Sequence, residues 1–449
     1  MKPMRDLLLG LAAVAGLSAC GSAPPGPPAT PIEPDLAVAT FDSAWAIIER
    51  NHFDPDFEGV DWPAVREELR PEAAAAETNR ELRHVLHEMI GRMPLSHFAI
   101  YPADAVDALS EEDDGADDGH THGHADVGVE IRLVDRNVVV WKVRPDSPAD
   151  SVGIGTGWVL EAIDGHRLDD RLERAGEDIE ASDLEILAMR YSTALLTGAE
   201  GSTAELLLRD GADTEHKFEL ERETAPGRIT RFGNLPPMRV SLRDEERTLD
   251  GTRVGVIDFN IWLVPIAADF DRAIDRHRDA DGLVLDLRGN PGGVAGMAMG
   301  FAGHVLDERA SLGVMSTRTT RLEIRANPRR VNPSGERVEP FDGPLAILVD
   351  GLSMSTSEIF AQGLQTIGRA RVFGQRTPGA ALPSQIVRLP NDDALQFAFA
   401  DFVDPEGVRL EGRGVIPDEV VPLDRDDLLA GRDAPMQAAL EWIAAESSP

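Results

Sequence analysis

One serine of this chain stands where a buried strand gives way to a helix. The apolar run Leu345 to Val349 leads into a short turn and then into Ser355-Thr-Ser-Glu358, which opens a helical pattern. A hydroxyl on such a turn is held in one place, and the free amides and positive end of the adjoining helix favour developing negative charge. The pattern therefore predicts a serine nucleophile at Ser355. The same residues also form a capping box, with Ser355 as N-cap and Glu358 as its partner, so a purely structural role is the alternative.

A glycine-rich turn follows a second apolar strand. In Asp286-Leu-Arg-Gly-Asn-Pro-Gly-Gly293 the glycines let backbone amides approach a ligand without side-chain obstruction. The turn lacks the lysine and the spacing of nucleotide-phosphate loops. An oxyanion hole fits better, because an amide of Gly292 or Gly293 and the amide of Thr356 could both bind the oxygen of a carbonyl attacked by Ser355. A turn that serves only tight packing is the alternative.

The elements around both turns predict a parallel sheet. From about Arg228 onward, continuous apolar strands alternate with helical stretches, such as Ile266 to His277 and Ser357 to Ile367. Such strands are typical of a parallel sheet covered by helices on both faces. Ligand sites in these sheets lie beyond the carboxyl ends of the strands, where both turns fall. The predicted fold class of this part of the chain is therefore α/β.

Four motifs occur in one order along this part of the chain: Asp286 to Gly293, Ser353 to Ile359, Gly374 to Gly379, and Glu411 to Asp418. Together they resemble the family of C-terminal processing proteases, tricorn core proteases and interphotoreceptor retinoid-binding protein modules. The resemblance implies a crotonase-like ββα core and serine peptidase chemistry on polypeptides. It places the nucleophile on Ser355 and the oxyanion glycine on Gly292 or Gly293.

The general base departs from that of the processing proteases. They use a lysine just after the Thr-x-Gly turn, where this chain has Ala380. No lysine follows Lys217, so a serine-lysine dyad within the core domain is excluded. Histidine is the usual base near neutral pH. A histidine from elsewhere in the chain is therefore expected to take the proton.

The tricorn branch of the family resembles this chain at Ser96-His97, with an acid in the motif that begins at Glu411. The resemblance implies that His97 is the general base toward Ser355, and that Ser96 and Glu411 orient and stabilise its imidazole. Spacing alone does not eliminate two rival histidines of the core domain: His277 and His304.

The N-terminus has the layout of a secretory signal. Basic residues precede an apolar run from Leu7 to Leu17, which is too short to span a bilayer and ends in Leu17-Ser-Ala-Cys20. This box resembles that of bacterial lipoproteins, which implies cleavage before Cys20 and lipidation of its thiol. The absence of aspartate after Cys20 resembles outer-membrane sorting. The predicted location is the cell envelope, with a lipid anchor on the periplasmic face of the outer membrane.

The amino-acid composition limits the classes of partner that this protein is expected to bind. The net charge of -35 repels phosphate backbones and anionic head groups, so nucleic acid is excluded and membrane attachment must depend on the lipid. Cys20 is the only cysteine, so an exported chain can form no internal disulfide and must rely on its cores. The expected chemistry needs no cofactor and no metal. An oligomer is compatible with the sequence.

Six segments are predicted along the chain: a signal at 1–20, a Pro/Gly tether at 21–38, a helical domain at 39–105, an acidic and His-rich linker at 106–126, a PDZ-like domain at 127–225 and the core domain with a C-terminal helix at 226–449. Within the linker, His120, His122 and His124 could bind a metal weakly, although a Gly-rich loop lacks a rigid second shell and favours a solvated linker.

The PDZ-like segment rests on a resemblance in Pro145 to Gly165, where a Ser-Pro-Ala helix start precedes a short strand. PDZ domains add a peptide as an extra strand and bind its terminal carboxylate with backbone amides, here around Val127-Gly128-Val129. A β-rich spacer without a ligand is the alternative.

The leading functional prediction is an exported, lipid-anchored serine peptidase that acts on polypeptides through Ser355. Two alternatives stay open at this point. One is a non-catalytic protein on the same fold that binds peptides or hydrophobic ligands, and the other is an esterase or amidase of small acyl substrates.

Overall fold

The structure is a computed structural model that describes residues 30–103, 125–169, 172, 181–230 and 238–447. Its first unit is helical, with α1 (Pro34–Asn51), a 3₁₀ turn (Phe57–Gly59), α2 (Trp62–Ala75), α3 (Asn79–Ile90) and the short strand β1 (Ala99–Tyr101). Two of these helices begin at a capping side chain, since Asp61 accepts from the amide of Ala64 and Thr78 accepts from that of Glu81.

This helical unit is joined to a distant part of the chain. β1 pairs antiparallel with residues 394–396, and one hydrophobic cluster contains helix residues such as Phe41 and Leu86 together with Leu395 and Phe397. Arg83 adds an ion pair at 2.7 Å to Asp393, whose side chain is fully buried. The segment after α3, which carries Ser96 and His97, is therefore fixed against the core domain.

The second unit is built on one antiparallel sheet. Its elements are β2 (Ala125–Asp126), β3 (Val129–Val134), β4 (Asn137–Val143), α4 (Pro148–Ser151), β5 (Val159–Ile163), β6 (His166–Arg167), α5 (Ala181–Leu196), β7 (Thr203–Arg209), β8 (Glu215–Glu221) and β9 (Glu223–Thr224). The strand order in the sheet is β3-β4-β5-β7-β8, and β6 pairs with β5. β3 forms an edge of the sheet, and α5 packs against β3 and β5.

The third unit contains the parallel sheet. Its elements are β10 (Arg228–Thr230), β11 (Met238–Val240), β12 (Leu242–Leu249), β13 (Thr252–Phe259), α6 (Ala267–Arg276), β14 (Gly282–Asp286), α7 (Gly296–Ala302), β15 (Ala310–Ser316), β16 (Arg321–Ala326), β17 (Leu345–Val349), α8 (Thr356–Thr366), β18 (Arg371–Gly374), β19 (Ser384–Arg388), β20 (Ala394–Ala398), β21 (Asp401–Val403), β22 (Glu419–Val420), α9 (Arg425–Leu429) and α10 (Ala434–Glu446).

The main sheet runs β12-β13-β14-β17-β18-β22, parallel from β13 onward and antiparallel between β12 and β13. Every residue of β14 and β17 is buried, as the uninterrupted apolar runs predicted. One face packs on α6, α7 and α8, and the other packs on α10. The predicted α/β class is confirmed.

The two turns singled out in the sequence leave neighbouring strands of this sheet. β14 ends at Asp286, which lies opposite Leu348 near the end of β17. Because the strands are parallel, the glycine turn and the Ser355 turn emerge side by side at the same edge. No helix within the described ranges is long and apolar enough to cross a membrane.

Candidate active site

Ser355 occupies a strained backbone conformation at the start of α8. Its φ of 56° and ψ of -116° lie in a region that residues other than glycine rarely adopt. The amide of Ser355 donates to the carbonyl of Ala380 at 2.8 Å and to Glu358 Oε2 at 2.9 Å. These bonds hold the turn, and the side chain stays partly exposed. A strained residue fixed in this way is often found at a functional site.

Glu358 does more than cap the helix. Its fully buried carboxylate also accepts from Thr377 Oγ1 at 2.6 Å and from the amide of Gly379 at 2.8 Å. Burial raises the pKa of Glu358 to about 7, although these hydrogen bonds oppose the shift. The carboxylate therefore ties the Ser355 turn to the Thr-x-Gly turn. The sequence pattern had indicated only its capping role.

The glycine turn lies directly against Ser355. A Cβ atom on Gly292 would lie 2.7 Å from Ser355 Cβ and 2.9 Å from the amide nitrogen of Thr356. Gly292 also has a φ of +94°, which a residue with a side chain rarely adopts. Both features require glycine at this position. The two turns, which the sequence placed beyond the carboxyl ends of strands of one sheet, are therefore in direct contact.

The structure separates the two glycines that the sequence could not. Gly292 is buried, its amide donates to Asn290 Oδ1 at 3.0 Å, and its carbonyl accepts from Trp262. Gly293 is exposed, and no hydrogen bond of the described residues uses its amide or that of Thr356. The free donors beside Ser355 are thus those of Gly293 and Thr356.

Asn290 is a site residue that sequence reasoning missed. It is fully buried, and its side-chain Nδ2 donates to the carbonyl of Phe259 at 2.8 Å. Its backbone carbonyl accepts from Ser357 Oγ and from the amide of Met354. It therefore connects the glycine turn, β13 and the segment around Ser355. In the sequence, only its place within the glycine-rich turn indicated this role.

A second cluster joins Ser96, His97 and Glu411. Ser96 Oγ lies 2.7 Å from His97 Nδ1 and 3.0 Å from Glu411 Oε2, and the amide of Ser96 donates to Glu411 Oε1 at 2.7 Å. His97 has a φ of +63°, so its backbone is strained like that of Ser355. The structure thus brings Ser96 and Glu411, which are 315 positions apart in the chain, into hydrogen-bond contact.

The hydrogen bonds of this cluster define the tautomer of His97. A serine hydroxyl has one proton, and donating it to the Glu411 carboxylate leaves the oxygen to accept from His97 Nδ1–H. The proton of a neutral imidazole then resides on Nδ1, and Nε2 has a free lone pair. Desolvation by the surrounding protein lowers the pKa of His97 to about 4, so the ring is neutral at pH 7.

One loop connects the two clusters. The carbonyl of Ala380 accepts from the amide of Ser355, and the next amide, that of Ala381, donates to Glu411 Oε2 at 3.1 Å. Among the hydrogen bonds of the described residues, none joins Ser355 Oγ to His97. Catalytic hydrogen bonds are often long before substrate binds. Each half of the predicted site is therefore hydrogen-bonded to one of two consecutive residues of the same loop, Ala380 and Ala381.

The rival histidines are engaged elsewhere. His277 Nε2 lies 2.9 Å from Asp244 on β12, and His304 Nε2 lies 2.8 Å from Asp271 on α6. Both rings are buried beside these carboxylates.

The described lysines are also committed to other partners. Lys142 lies 3.6 Å from both Asp258 and Asp286, and Lys217 lies 2.7 Å from Glu205. Cys20 and the linker histidines fall outside the described residues. Within those ranges no group of three His, Cys, Asp or Glu side chains is arranged to hold a metal.

The second unit is connected to the Ser355 turn by a buried ionic cluster. Arg132 of β3 donates to Asp350 at 2.9 Å, and Asp350 also accepts from the amide of Gly289. Glu185 of α5 packs against Gly351, where a Cβ would lie 2.1 Å from its carboxylate oxygen. Burial and the repulsion of Asp350 raise the pKa of Glu185 to about 8.

Glu185 should make the stability of this connection depend on pH. Because its folded pKa lies above the ordinary value of 4.5, the stability it contributes is complete below pH 4.5 and is lost as pH rises through 8. Glu185→Gln is expected to flatten the decline of the melting temperature between pH 5 and 9. The corresponding difference in the free energy of unfolding is on the order of a few kcal/mol at the alkaline end. Thermal unfolding across this range measures it, with the exposed Glu215→Gln as control. Parallel curves for wild type and Glu185→Gln would contradict the assignment.

Comparison with known proteins shows similarity to peptidases. Residues 253–421 match the model of peptidase family S41, and residues 39–91 match the tricorn protease C1 domain. The chain is 26% identical over 389 residues to a carboxyl-terminal-processing protease of Picosynechococcus, covering 84% of this chain and 82% of that protein. It is 25% identical over 392 residues to the chloroplastic carboxyl-terminal-processing peptidase 2 of Arabidopsis thaliana, covering 85% and 68%.

Solved structures support the fold. The photosystem II D1 C-terminal processing protease aligns with a TM-score of 0.57 and 21% identity, over 92% of this chain and 98% of that one. The tricorn protease aligns with a TM-score of 0.51 and 18% identity, over 92% of this chain and 37% of that one. The resemblance expected from the four motifs is confirmed. Over residues 253–421 this chain is similar to peptidase family S41, and it is a serine-type peptidase.

Proposed function

We propose that this chain is an exported, lipid-anchored peptidase that hydrolyses polypeptides through an acyl-enzyme on Ser355, with His97 as general base. The observation that carries the proposal is the hydrogen-bonded series Glu411, Ser96, His97, which leaves Nε2 of a neutral imidazole as proton acceptor. Glu411 and Ser355 hydrogen-bond to consecutive residues of one loop, Ala381 and Ala380. A base oriented by a carboxylate, here through Ser96, is one arrangement that activates a serine nucleophile.

The reaction follows from these positions. His97 Nε2 takes the hydroxyl proton as Ser355 Oγ attacks the substrate carbonyl, and the amides of Gly293 and Thr356 stabilise the resulting oxyanion. The imidazolium then gives that proton to the leaving amine as the C–N bond breaks. Water attacks the acyl-enzyme with His97 again as base, which releases the carboxylic acid and regenerates Ser355. Glu411, acting through Ser96, stabilises the transient positive charge.

We further infer that the third unit is a crotonase-like core and that the second unit is PDZ-like. The parallel sheet and its two adjacent turns support the first inference. For the second, the edge strand β3 beside α5 supports addition of a peptide as a further strand. Substrate would then bind along β3 and extend toward Ser355.

Hydrolysis of an unfolded protein tests the proposed activity. Purified wild type should cleave it into peptides, and Ser355→Ala should leave it intact. A wild-type protein that binds the polypeptide without cleaving it would indicate the binding protein. Rapid hydrolysis of small acyl esters without cleavage of the polypeptide would indicate an esterase.

The lipid anchor is supported by the Leu17-Ser-Ala-Cys20 box and the Pro/Gly tether after it. Cys20→Ser is expected to move the protein from the membrane to the soluble fraction or to leave the signal uncleaved, because the thiol that carries the lipid is absent. Fractionation and intact mass measure both outcomes. An unchanged distribution with an unchanged mature mass would refute the anchor.

A further inference from the structure

A cavity of about 1080 Å³ lies between the second unit and the main sheet. Its apolar part is formed by β3 and α5, with Ile131, Ile186 and Met189 among the lining residues. The cavity extends to Pro291 and Met354, the immediate neighbours of Gly292 and Ser355. A polypeptide lying in this cavity would therefore lead to the nucleophile.

The charge of the cavity wall is opposite to that of the whole protein. Eight arginine or lysine side chains and five carboxylates line it, whereas the chain has a net charge of -35. A cleft lined by one sign of charge concentrates ligands of the other sign. The cavity is thus a local attractor for anionic groups on an otherwise acidic molecule.

The carboxylates of the wall are already engaged by cations of the same wall. The ion pairs, at 2.5 to 3.0 Å, are Asp126 with Arg144, Asp269 with Arg228, Asp286 with Arg288, and both Glu130 and Asp258 with Arg243. These anions have little capacity left for a cationic substrate. The positive surplus must come from the remaining cations.

Arg190 supplies that surplus. Arg190 lies on the cavity face of α5, its side chain is exposed, and no hydrogen bond or ion pair of the described residues involves its guanidinium. A bound carboxylate would give Arg190 a partner.

We propose that this cavity selects polypeptides whose C-terminal segment carries aspartate or glutamate, with Arg190 as a specificity-determining residue. The inference rests on the proposed function, because it names the substrate class of that same site. The apolar strip of β3 and α5 holds the extended backbone, and Arg190 binds acidic side chains along it.

Matched substrates test the proposal. One unfolded carrier protein is given tails of equal length that are acidic, neutral (Asn and Gln replacing Asp and Glu) or basic, all with a free terminal carboxylate. Wild type should cleave the acidic-tailed carrier with a kcat/KM about fivefold above the neutral one, as one good ion pair provides. High salt should reduce the ratio. Arg190→Gln should bring it toward one, and Arg190→Glu should favour the basic tail.

The exposed Arg337, which does not line the cavity, provides the matched control, and Arg337→Gln should keep the wild-type ratio. Equal kcat/KM values for the acidic and neutral tails in wild type, or a ratio unchanged by Arg190→Gln, would overturn the inference. Binding of the isolated tail peptides to Ser355→Ala protein, followed by fluorescence anisotropy, separates this from the peptidase proposal. Tighter binding of the acidic tail without any wild-type cleavage would retain the selectivity and refute the catalysis, whereas equal binding would refute the selectivity.

Discussion

His97→Ala and Ser355→Ala should each remove nearly all turnover, a loss on the order of 10⁴-fold or more, and the double variant should lose little beyond either single change. The reason is that base and nucleophile act as one unit, so removing either abolishes the same step. The measurement is kcat/KM on an unfolded protein substrate for the three variants and wild type. Glu411→Gln should lose a smaller share, because Glu411 reaches the imidazole only through Ser96.

A matched histidine makes this result specific. His166 lies exposed on β6, and His166→Ala should retain wild-type kcat/KM. A folded His97→Ala enzyme with near-normal hydrolysis, together with inactive His277→Ala or His304→Ala protein, would move the base into the core domain. The hydrogen bonds that hold Ser96 to His97 would then be structural only.

Gly292→Ala is expected to reduce kcat at least about 100-fold, comparable to the loss of one oxyanion donor. The added methyl would meet Ser355 Cβ at 2.7 Å and the carbonyl of Met354 at 2.8 Å, so the Ser355 turn must move away from its amide donors. The measurement is kcat together with the melting temperature, which separates displacement of the turn from unfolding.

Gly335 offers the control for backbone strain alone. Its φ of +82° is similar to that of Gly292, but a Cβ there would meet no atom within 4 Å. Gly335→Ala should therefore lower the melting temperature through a comparable backbone strain, but it should keep the wild-type kcat. A Gly292→Ala enzyme whose kcat stays within a few-fold of wild type would show that the turn tolerates displacement and does not position the oxyanion.

The parts of this site that could be predicted are those that local sequence encodes. An apolar strand, a polar turn and a helical pattern place Ser355 at the edge of a parallel sheet, and glycines mark the turn beside it. The alternation of apolar strands with helices also predicts that the sheet is parallel. No structure was needed for these inferences, because each depends on residues within about ten positions of one another.

What escaped prediction depends on contacts between distant residues. Glu358 binds Thr377 and Gly379, which are 19 and 21 residues further along the chain, and no local pattern marks that connection. Spacing also could not tell Gly292 from Gly293. That distinction depends on the side chain of Asn290, which occupies one amide and leaves the other exposed.

The contact between Ser96 and Glu411 was predicted, although local sequence does not encode it. Their relation was implied by the resemblance to the tricorn branch, not by anything in the intervening sequence. The structure supplies its physical basis, which is the helical unit fixed to β20 by β1 and by the Arg83–Asp393 ion pair. That long-range packing brings residue 96 within hydrogen-bond distance of residue 411.

The most direct measurement of the central claim is covalent labelling of the purified protein with a fluorophosphonate, followed by location of the adduct by peptide mass. Reaction with such a probe requires a serine made nucleophilic by an adjacent base. We expect a single adduct on the peptide that contains Ser355, formed quickly in wild type and far more slowly in His97→Ala protein. An adduct on another serine, or equal labelling rates with and without His97, would contradict the assignment of Ser355 and His97 as nucleophile and base.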